Sequence, residues 1–445
     1  MRRSGSGTPS AARLLVFLLA ALGGGTACQS GGSPGGAGGS ASGSGGRGSG
    51  GTPGAAGTTG VAGAAGDAGP GTGGSGGRDA AVVGVPDAAP SDGALRDDLA
   101  RTDASGDTRS SDAGSADADA SSVQELIHYY GRWNRLTDRA ITVNSGSQVS
   151  ATFSGAAISA RFDVTLNQLP NPTLAWRIDQ QDWQEAELAA TLPLATGLSG
   201  THQVLLMVRS LNEQQSRWTP PLVSSITFLG FAVTGGAVQP SERPARPRIE
   251  FLGDSITEGV NVWPARPGKD TVCWREDGRL GFASQTAQAL GAEWRQVGFG
   301  RQGLLIGGNG GVPVANDAFN FIYQGIPRDS WQPDLVVINQ GTNDMAANPA
   351  TFRAAYQTFL ATVRVGYPAA KIAALRPFGG FLATEIKAAV DARAAAGDAR
   401  VFYIDTTGWL VAPADFTDTL HPNVQGSTKA AQALTAAITT GGLLP

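Results

Sequence analysis

Arg248-Ile249-Glu250-Phe251-Leu252-Gly253-Asp254-Ser255 is a short apolar run that ends in a turn, with a hydroxyl just beyond it. Similar runs recur at Trp294–Phe299, Leu335–Asn339, Ile372–Leu375 and Val401–Ile404. Amphipathic stretches lie between and after them, at Ala283–Leu290, Thr351–Val365, Thr384–Ala396 and Ser427–Thr439. Continuous apolar strands separated by helices predict an α/β unit, a parallel sheet covered on both faces in three αβα layers. In such folds ligands sit at the carboxyl ends of the strands. Ser255 and Asn343 each follow a strand and are expected to converge on that edge.

Upstream the pattern changes. Residues 123–239 carry short runs rich in β-branched and aromatic residues, among them Val149–Phe153, Ala157–Val164, Leu174–Ile178, Gln203–Arg209 and Ser225–Phe231. Gly, Asn, Ser and Pro punctuate them, and no helical period appears. Many short strands at this spacing predict an all-β sandwich, a jelly roll. Such sandwiches often hold sugars, and Trp133, Trp176, Trp183 and Trp218 are the aromatic candidates, with core packing the ordinary fate of most tryptophans. Pro240–Pro247 is a Pro/Arg-rich connector, and residues 248–445 form the second folded unit.

Residues 28–122 are nearly all Gly, Ala, Ser, Asp and Thr. A segment this poor in large apolar residues cannot offset its chain entropy by burial, and is expected to be a disordered tether. Residues 1–27 have the form of an export signal. Arg2, Arg3 and Arg13 precede the run Leu14–Leu22, which is too short to span a bilayer as a mature helix. Small residues then lead to Cys28, resembling a bacterial lipoprotein cleavage site, although Gly25 departs from the usual Leu. The expectation is an exported chain, lipid-anchored through Cys28 or secreted, and monomeric. With Cys28 removed or lipidated, Cys273 has no disulfide partner. The net charge of −4 and the lack of a basic stripe argue against nucleic acid. Three histidines without clustered cysteines argue against a metal site, and no cofactor is expected.

The chemistry lies in four blocks, in order: Gly253-Asp254-Ser255, Gly298-Phe299-Gly300-Arg301-Gln302-Gly303, Gly341-Thr342-Asn343-Asp344 and Asp418-Thr419-Leu420-His421. Serine is a poor nucleophile until a base takes its proton. His421 is the one histidine in the C-terminal half, so if an imidazole activates Ser255, His421 must supply it. Asp418 would accept the other ring N–H and fix the tautomer, with Asp415 the other nearby carboxylate.

The ordered set resembles the SGNH (GDSL-type) hydrolase superfamily, over residues 248–445. The resemblance implies a flavodoxin-like parallel sheet and an oxyanion hole built from the Ser255 N–H, the Asn343 amide and a backbone N–H of the Gly-rich turn. That turn aligns two ways, so Gly303 and Gly300 both stand as donors. Trp274, and Trp263 on weaker grounds, are expected to line the acyl or sugar site. Asp254 and Asp344 are expected to fix strand-end turns. Cys273 is expected to be a buried thiol, and His202 to be structural or exposed.

Tyr130-Gly131-Arg132-Trp133 and the stretch from Gly200 to Glu213 make the two-domain order similar to the family two carbohydrate esterases, which join a jelly roll to an SGNH domain. Many members of that family lack the catalytic Asp, so Asp418 points to a neighbouring branch. The resemblance implies a serine esterase removing O-acetyl groups from an acetylated polysaccharide or oligosaccharide, of the acetylxylan or acetylmannan type. Two alternatives stand beside it: a lipase or thioesterase on longer acyl chains, and an inactive carbohydrate-binding surface lipoprotein.

Overall fold

The computed structural model describes residues 125–445. Residues 1–124, with the expected export signal, Cys28 and the expected tether, lie outside the described residues. The described part opens with eleven strands: β1 (His128–Tyr130), β2 (Asn134–Arg135), β3 (Ala140–Thr142), β4 (Gln148–Ser154), β5 (Ala157–Asp163), β6 (Thr173–Ile178), β7 (Gln184–Glu187), β8 (Thr191–Thr196), β9 (Thr201–Ser210), β10 (Ile226–Thr234) and β11 (Ala237–Gln239). One sheet has the order β1-β4-β9-β6-β7, with β11 also on β4, and the other has the order β2-β3-β10-β5-β8. The antiparallel pairs nest: β6 with β7, β5 with β8, β4 with β9, β3 with β10. A ribbon folded over on itself in this way is a jelly roll. Its core follows the period of two: Val149, Ala151 and Phe153 of β4 face Ile158, Ala160 and Phe162 of β5 within one apolar cluster.

The second half builds a five-stranded parallel sheet from β12 (Arg248–Gly253), β13 (Glu293–Gly298), β16 (Leu335–Asn339), β17 (Lys371–Leu375) and β18 (Val401–Ile404), with β14 (Phe321–Tyr323) and β15 (Ile326–Pro327) as a side hairpin. The order β13-β12-β16-β17-β18 is 2-1-3-4-5 in chain sequence, the flavodoxin-like arrangement. Its helices are α1 (Ser255–Glu258), α2 (Val272–Arg275), α3 (Phe282–Ala289), α4 (Ala315–Ala318), α5 (Pro349–Gly366), α6 (Ala383–Ala395) and α7 (Val424–Thr440).

Alternate strand residues serve opposite faces. Leu335 and Val337 join the α3 and α7 side, whereas Val336 and Ile338 join the α5 and α6 side. Helix α5 starts where its sequence says it should: Asn348 caps the N–H groups of Ala350 and Thr351, and Pro349 stands in the first turn. Phe352, Tyr356, Phe359, Leu360 and Val363 then form its buried stripe.

The two halves share one packed boundary. Val143, Trp218 and Leu222 of the sandwich belong to the same apolar cluster as β16 and α5. Three arginines of the sandwich, each at most 2% exposed, cross it to carboxylates of the α/β half. Arg132 meets Glu250, Arg209 meets Asp277, and Arg217 meets Glu258. Tyr367 adds its hydroxyl to Glu250 at 2.6 Å. Removing one member of such a pair strands a buried charge, at a cost of about 3–5 kcal/mol.

Candidate active site

The switch point of a 2-1-3-4-5 sheet lies between its first and third strands in chain order, at their carboxyl ends. These are β12 and β16, and there the four blocks meet. Gly253 ends β12 with no room for a side chain: a Cβ would fall 2.1 Å from Thr257 Oγ1 and 2.8 Å from the Asn339 carbonyl. The chain therefore turns sharply into α1. Asp254 is the N-cap of that helix and accepts the Ile256 N–H at 3.0 Å. Ser255 is the first residue of the turn, so its own N–H has no intrahelical acceptor. Its side chain is 5% exposed as a residue, at the edge of the sheet.

Ser255 Oγ lies 2.9 Å from His421 Nε2. On the other side of the ring, Nδ1 lies 2.9 Å from Asp418 Oδ2. The carboxylate receives further donors, from the backbone N–H of Leu420 at 2.8 Å and of His421 at 2.7 Å, and from the Asn261 side chain at 3.0 Å. Burial alone would raise the Asp418 pKa. The His421 N–H, the imidazole and the Leu420 N–H outweigh it and hold the group at about 2. An ionised Asp418 accepting Nδ1–H leaves Nε2 as the acceptor facing the serine hydroxyl, the tautomer a general base needs. Asp415 faces elsewhere, bonded to Lys429 at 2.7 Å and to the Val411 N–H at 2.8 Å.

Asn343 leaves the end of β16 and aims its amide at the same corner. Nδ2 donates to the Gln302 carbonyl at 3.1 Å and stands 3.4 Å from Asp254 Oδ2. Asp344 staples the Gly-rich turn, accepting the N–H groups of Leu304 at 2.9 Å and Leu305 at 3.0 Å. Burial pushes Asp254 up to about 7, against the lowering effects of the Ile256 N–H and of His421.

The structure departs from expectation at the two glycines. Gly303 N–H donates to the Ile306 carbonyl at 3.0 Å, because the turn closes on itself there. Gly300 N–H is taken by the Glu258 carboxylate. The Ser255 N–H is the donor with no intrahelical acceptor, and the Asn343 amide reaches an oxyanion by giving up the Gln302 carbonyl or Asp254. Gly303 has a different reason to be glycine, since a Cβ would stand 2.5 Å from Asp344 Oδ1.

The tryptophans also differ. Trp274 is 8% exposed. Its indole N–H donates to Glu187 of the sandwich at 3.0 Å, and its ring lies near Lys269 and Arg209. The loop after α1 folds back on the sandwich and spends this side chain on the boundary rather than on a substrate wall. Trp263 is half-buried, bonded to Asp277 at 3.2 Å, with Arg266 over its ring at 4.2 Å. In the sandwich, Trp133, Trp176 and Trp218 are buried. Trp183 is partly exposed and lines a groove of about 550 Å³ whose wall includes Gln148, Gln203 and Trp294 and none of Ser255, Asn343, Asp418 and His421. Cys273 is buried, and burial pushes its thiol up. His202 pairs with Asp179 at 2.8 Å.

Two contributors escaped the sequence reading, Asn261 and the Arg217–Glu258 pair. Neither has a local signature. Asn261 becomes visible only as a left-handed residue (φ +53°) beside a carboxylate 157 positions away.

A serine two residues past the first strand of such a sheet, with an Asp-x-x-His pair ahead of the last helix, defines the class of SGNH-type hydrolase domains. Residues 251–429 match the model of the GDSL-like Lipase/Acylhydrolase family. The chain is 29% identical over 192 residues to the cellulase/esterase CelE of Acetivibrio thermocellus, covering 41% of this chain and 22% of that protein. It is 31% identical over 163 residues to the acetylxylan esterase / glucomannan deacetylase of Cellvibrio japonicus, covering 35% of this chain and 42% of that protein. The match thus spans less than half the length of either curated relative. Among solved structures, a family two carbohydrate esterase from Clostridium thermocellum in complex with cellohexaose has a TM-score of 0.61 at 24% identity, over 71% of this chain and 98% of that one. A family two carbohydrate esterase from Cellvibrio japonicus also has a TM-score of 0.61 at 24% identity, over 71% and 95%. The fold of both halves, jelly roll and SGNH sheet, is shared with these enzymes.

Proposed function

We propose that the chain is a serine esterase that removes O-acetyl groups from carbohydrate, of the acetylxylan or acetylmannan type. The observation that carries this reading is the pair of contacts on the two sides of one ring, Ser255 Oγ to His421 Nε2 and His421 Nδ1 to Asp418 Oδ2, each 2.9 Å. His421 takes the Ser255 proton as Oγ attacks the acetyl carbonyl. The carbonyl oxygen becomes an oxyanion, which the Ser255 N–H and the Asn343 amide stabilise. The tetrahedral intermediate collapses by breaking the bond to the sugar oxygen, which leaves with the proton from His421. A water molecule then gives a proton to His421 and attacks the acetyl-enzyme. Collapse of the second intermediate returns that proton to Ser255 and releases acetic acid. Asp418 stabilises the imidazolium throughout and keeps its orientation.

The named activities of the two curated relatives support the substrate class, and the presence of a jelly roll ahead of the SGNH sheet supports the carbohydrate branch. The signal-like N-terminus and Cys28 fit an exported protein held at a membrane by a lipid, with the tether as its reach. Acyl-chain preference tests the reading against the lipase or thioesterase alternative. Turnover of p-nitrophenyl acetate should far exceed that of the octanoate ester, and equal or faster octanoate turnover would replace the acetyl esterase with a long-chain acylhydrolase. Binding of xylan or mannan without hydrolysis of any acetyl ester would favour an inactive carbohydrate-binding protein.

A further inference from the structure

Ser255 opens α1, a helix of four residues. A single turn satisfies few of its own backbone groups and is not stable alone, so outside contacts set its position. Most of those contacts meet at Glu258, its last residue. The Glu258 carbonyl accepts Ser145 Oγ at 2.6 Å and Gln296 Nε2 at 3.2 Å. Its carboxylate accepts the Gly300 N–H from the turn after β13. The same carboxylate takes both terminal nitrogens of Arg217, with Nη2 to Oε2 at 2.8 Å.

Arg217 comes from the sandwich, in the segment between β9 and β10, and both side chains of the pair are fully buried. Its Cζ lies 5.0 Å from the Phe299 ring centroid, which stacks it against the Gly-rich turn. Glu276 and Glu213 lie near the pair, so Arg217 sits among acidic side chains. Burial pushes Glu258 and Glu276 upward, and Arg217 opposes this at both.

We propose that Arg217 is a positioning residue for ester hydrolysis: by gripping Glu258 from the neighbouring domain it fixes the Ser255 helix and the Gly-rich turn together. The sandwich then completes the active site as well as flanking it. This inference rests on the serine esterase reading.

The test uses the full chain with Arg217→Lys, Arg217→Met and the double variant Arg217→Met/Glu258→Gln, assayed with p-nitrophenyl acetate alongside thermal melts. Arg217→Met should lower kcat about 10–100-fold, with KM within about 2-fold, because a misplaced nucleophile costs turnover more than binding. Arg217→Lys should recover only part of the loss, since a point charge cannot form the paired contact. The double variant removes the stranded carboxylate, so its melting temperature should rise above that of Arg217→Met while kcat stays low. Unchanged kcat in Arg217→Lys and Arg217→Met would overturn the inference. So would a kcat that returns with stability in the double variant. If Arg217→Met fails to fold, the Arg217→Lys turnover decides. A wild type inert on acetyl esters would instead sink the esterase reading itself.

Discussion

Asn261 donates its side-chain amide to Asp418 Oδ2 at 3.0 Å, the same oxygen that faces His421 Nδ1 at 2.9 Å. The orienting carboxylate is thereby tied to the segment that leaves the nucleophile helix as well as to its own loop. Asn261 holds φ +53°, a left-handed conformation that Asn tolerates better than most residues. Asn261→Gly keeps the backbone and loses the bond, and should lower kcat about 3–10-fold, the worth of one ordinary, solvent-exposed hydrogen bond. Asn261→Ala adds backbone strain and should melt at a lower temperature than the Gly variant. Steady-state kinetics and melts on the pair read both effects, and wild-type turnover in Asn261→Gly would remove Asn261 from the site.

Asn343 brings to the site the amide that in the resting fold it gives to the Gln302 carbonyl and Asp254, and an oxyanion competes for it. Asn343→Ala should lower kcat about 10²–10³-fold with little change in KM, because the interaction forms in the transition state. A loss below about 3-fold would mean that the oxyanion is held elsewhere, with the Gly303 N–H breaking its bond to Ile306 as the first alternative.

Asp254 gives a pH dependence of defined sign. Burial raises it from 3.8 to about 7. Between those values the folded chain keeps a proton that the unfolded chain has lost, so stability falls as pH rises through that window. Asp254→Asn retains the N-cap acceptor and removes the titration. The melting temperature of the Asn variant, measured relative to wild type, should climb from about pH 4 to about pH 7 and then level off. Parallel melting curves across that range would contradict a raised Asp254.

Much of this was written locally in the sequence. The central parallel strands β16 and β17 are short apolar runs bounded by polar residues, and such runs are found to within a residue or so: Leu335–Asn339 is expected and observed. Ser255 and His421 were legible because strand ends converge on one edge and the C-terminal half holds one histidine. The alternation of β4 and β5 marks them as half-buried strands of a sandwich, while their nested pairing is settled by partners far along the chain.

The remainder depends on partners distant in sequence. Arg132, Arg209 and Arg217 look like ordinary surface cations until the two halves meet, when each becomes buried against a carboxylate. Trp274 was read as a substrate wall because it lies in a loop near the first block. That loop packs on the sandwich, and Glu187 takes the indole. The glycines of the second block were read as donors, but turn closure at Ile306 and the reach of Glu258 are visible only in three dimensions.

The most direct measurement is acetate release from acetylated xylan and glucomannan by the wild type, Ser255→Ala and His421→Ala. The account predicts steady release by the wild type and a fall of at least about 10³-fold in each variant, since either loss dismantles the Ser255–His421 contact. Acetate released by Ser255→Ala at the wild-type rate would contradict it.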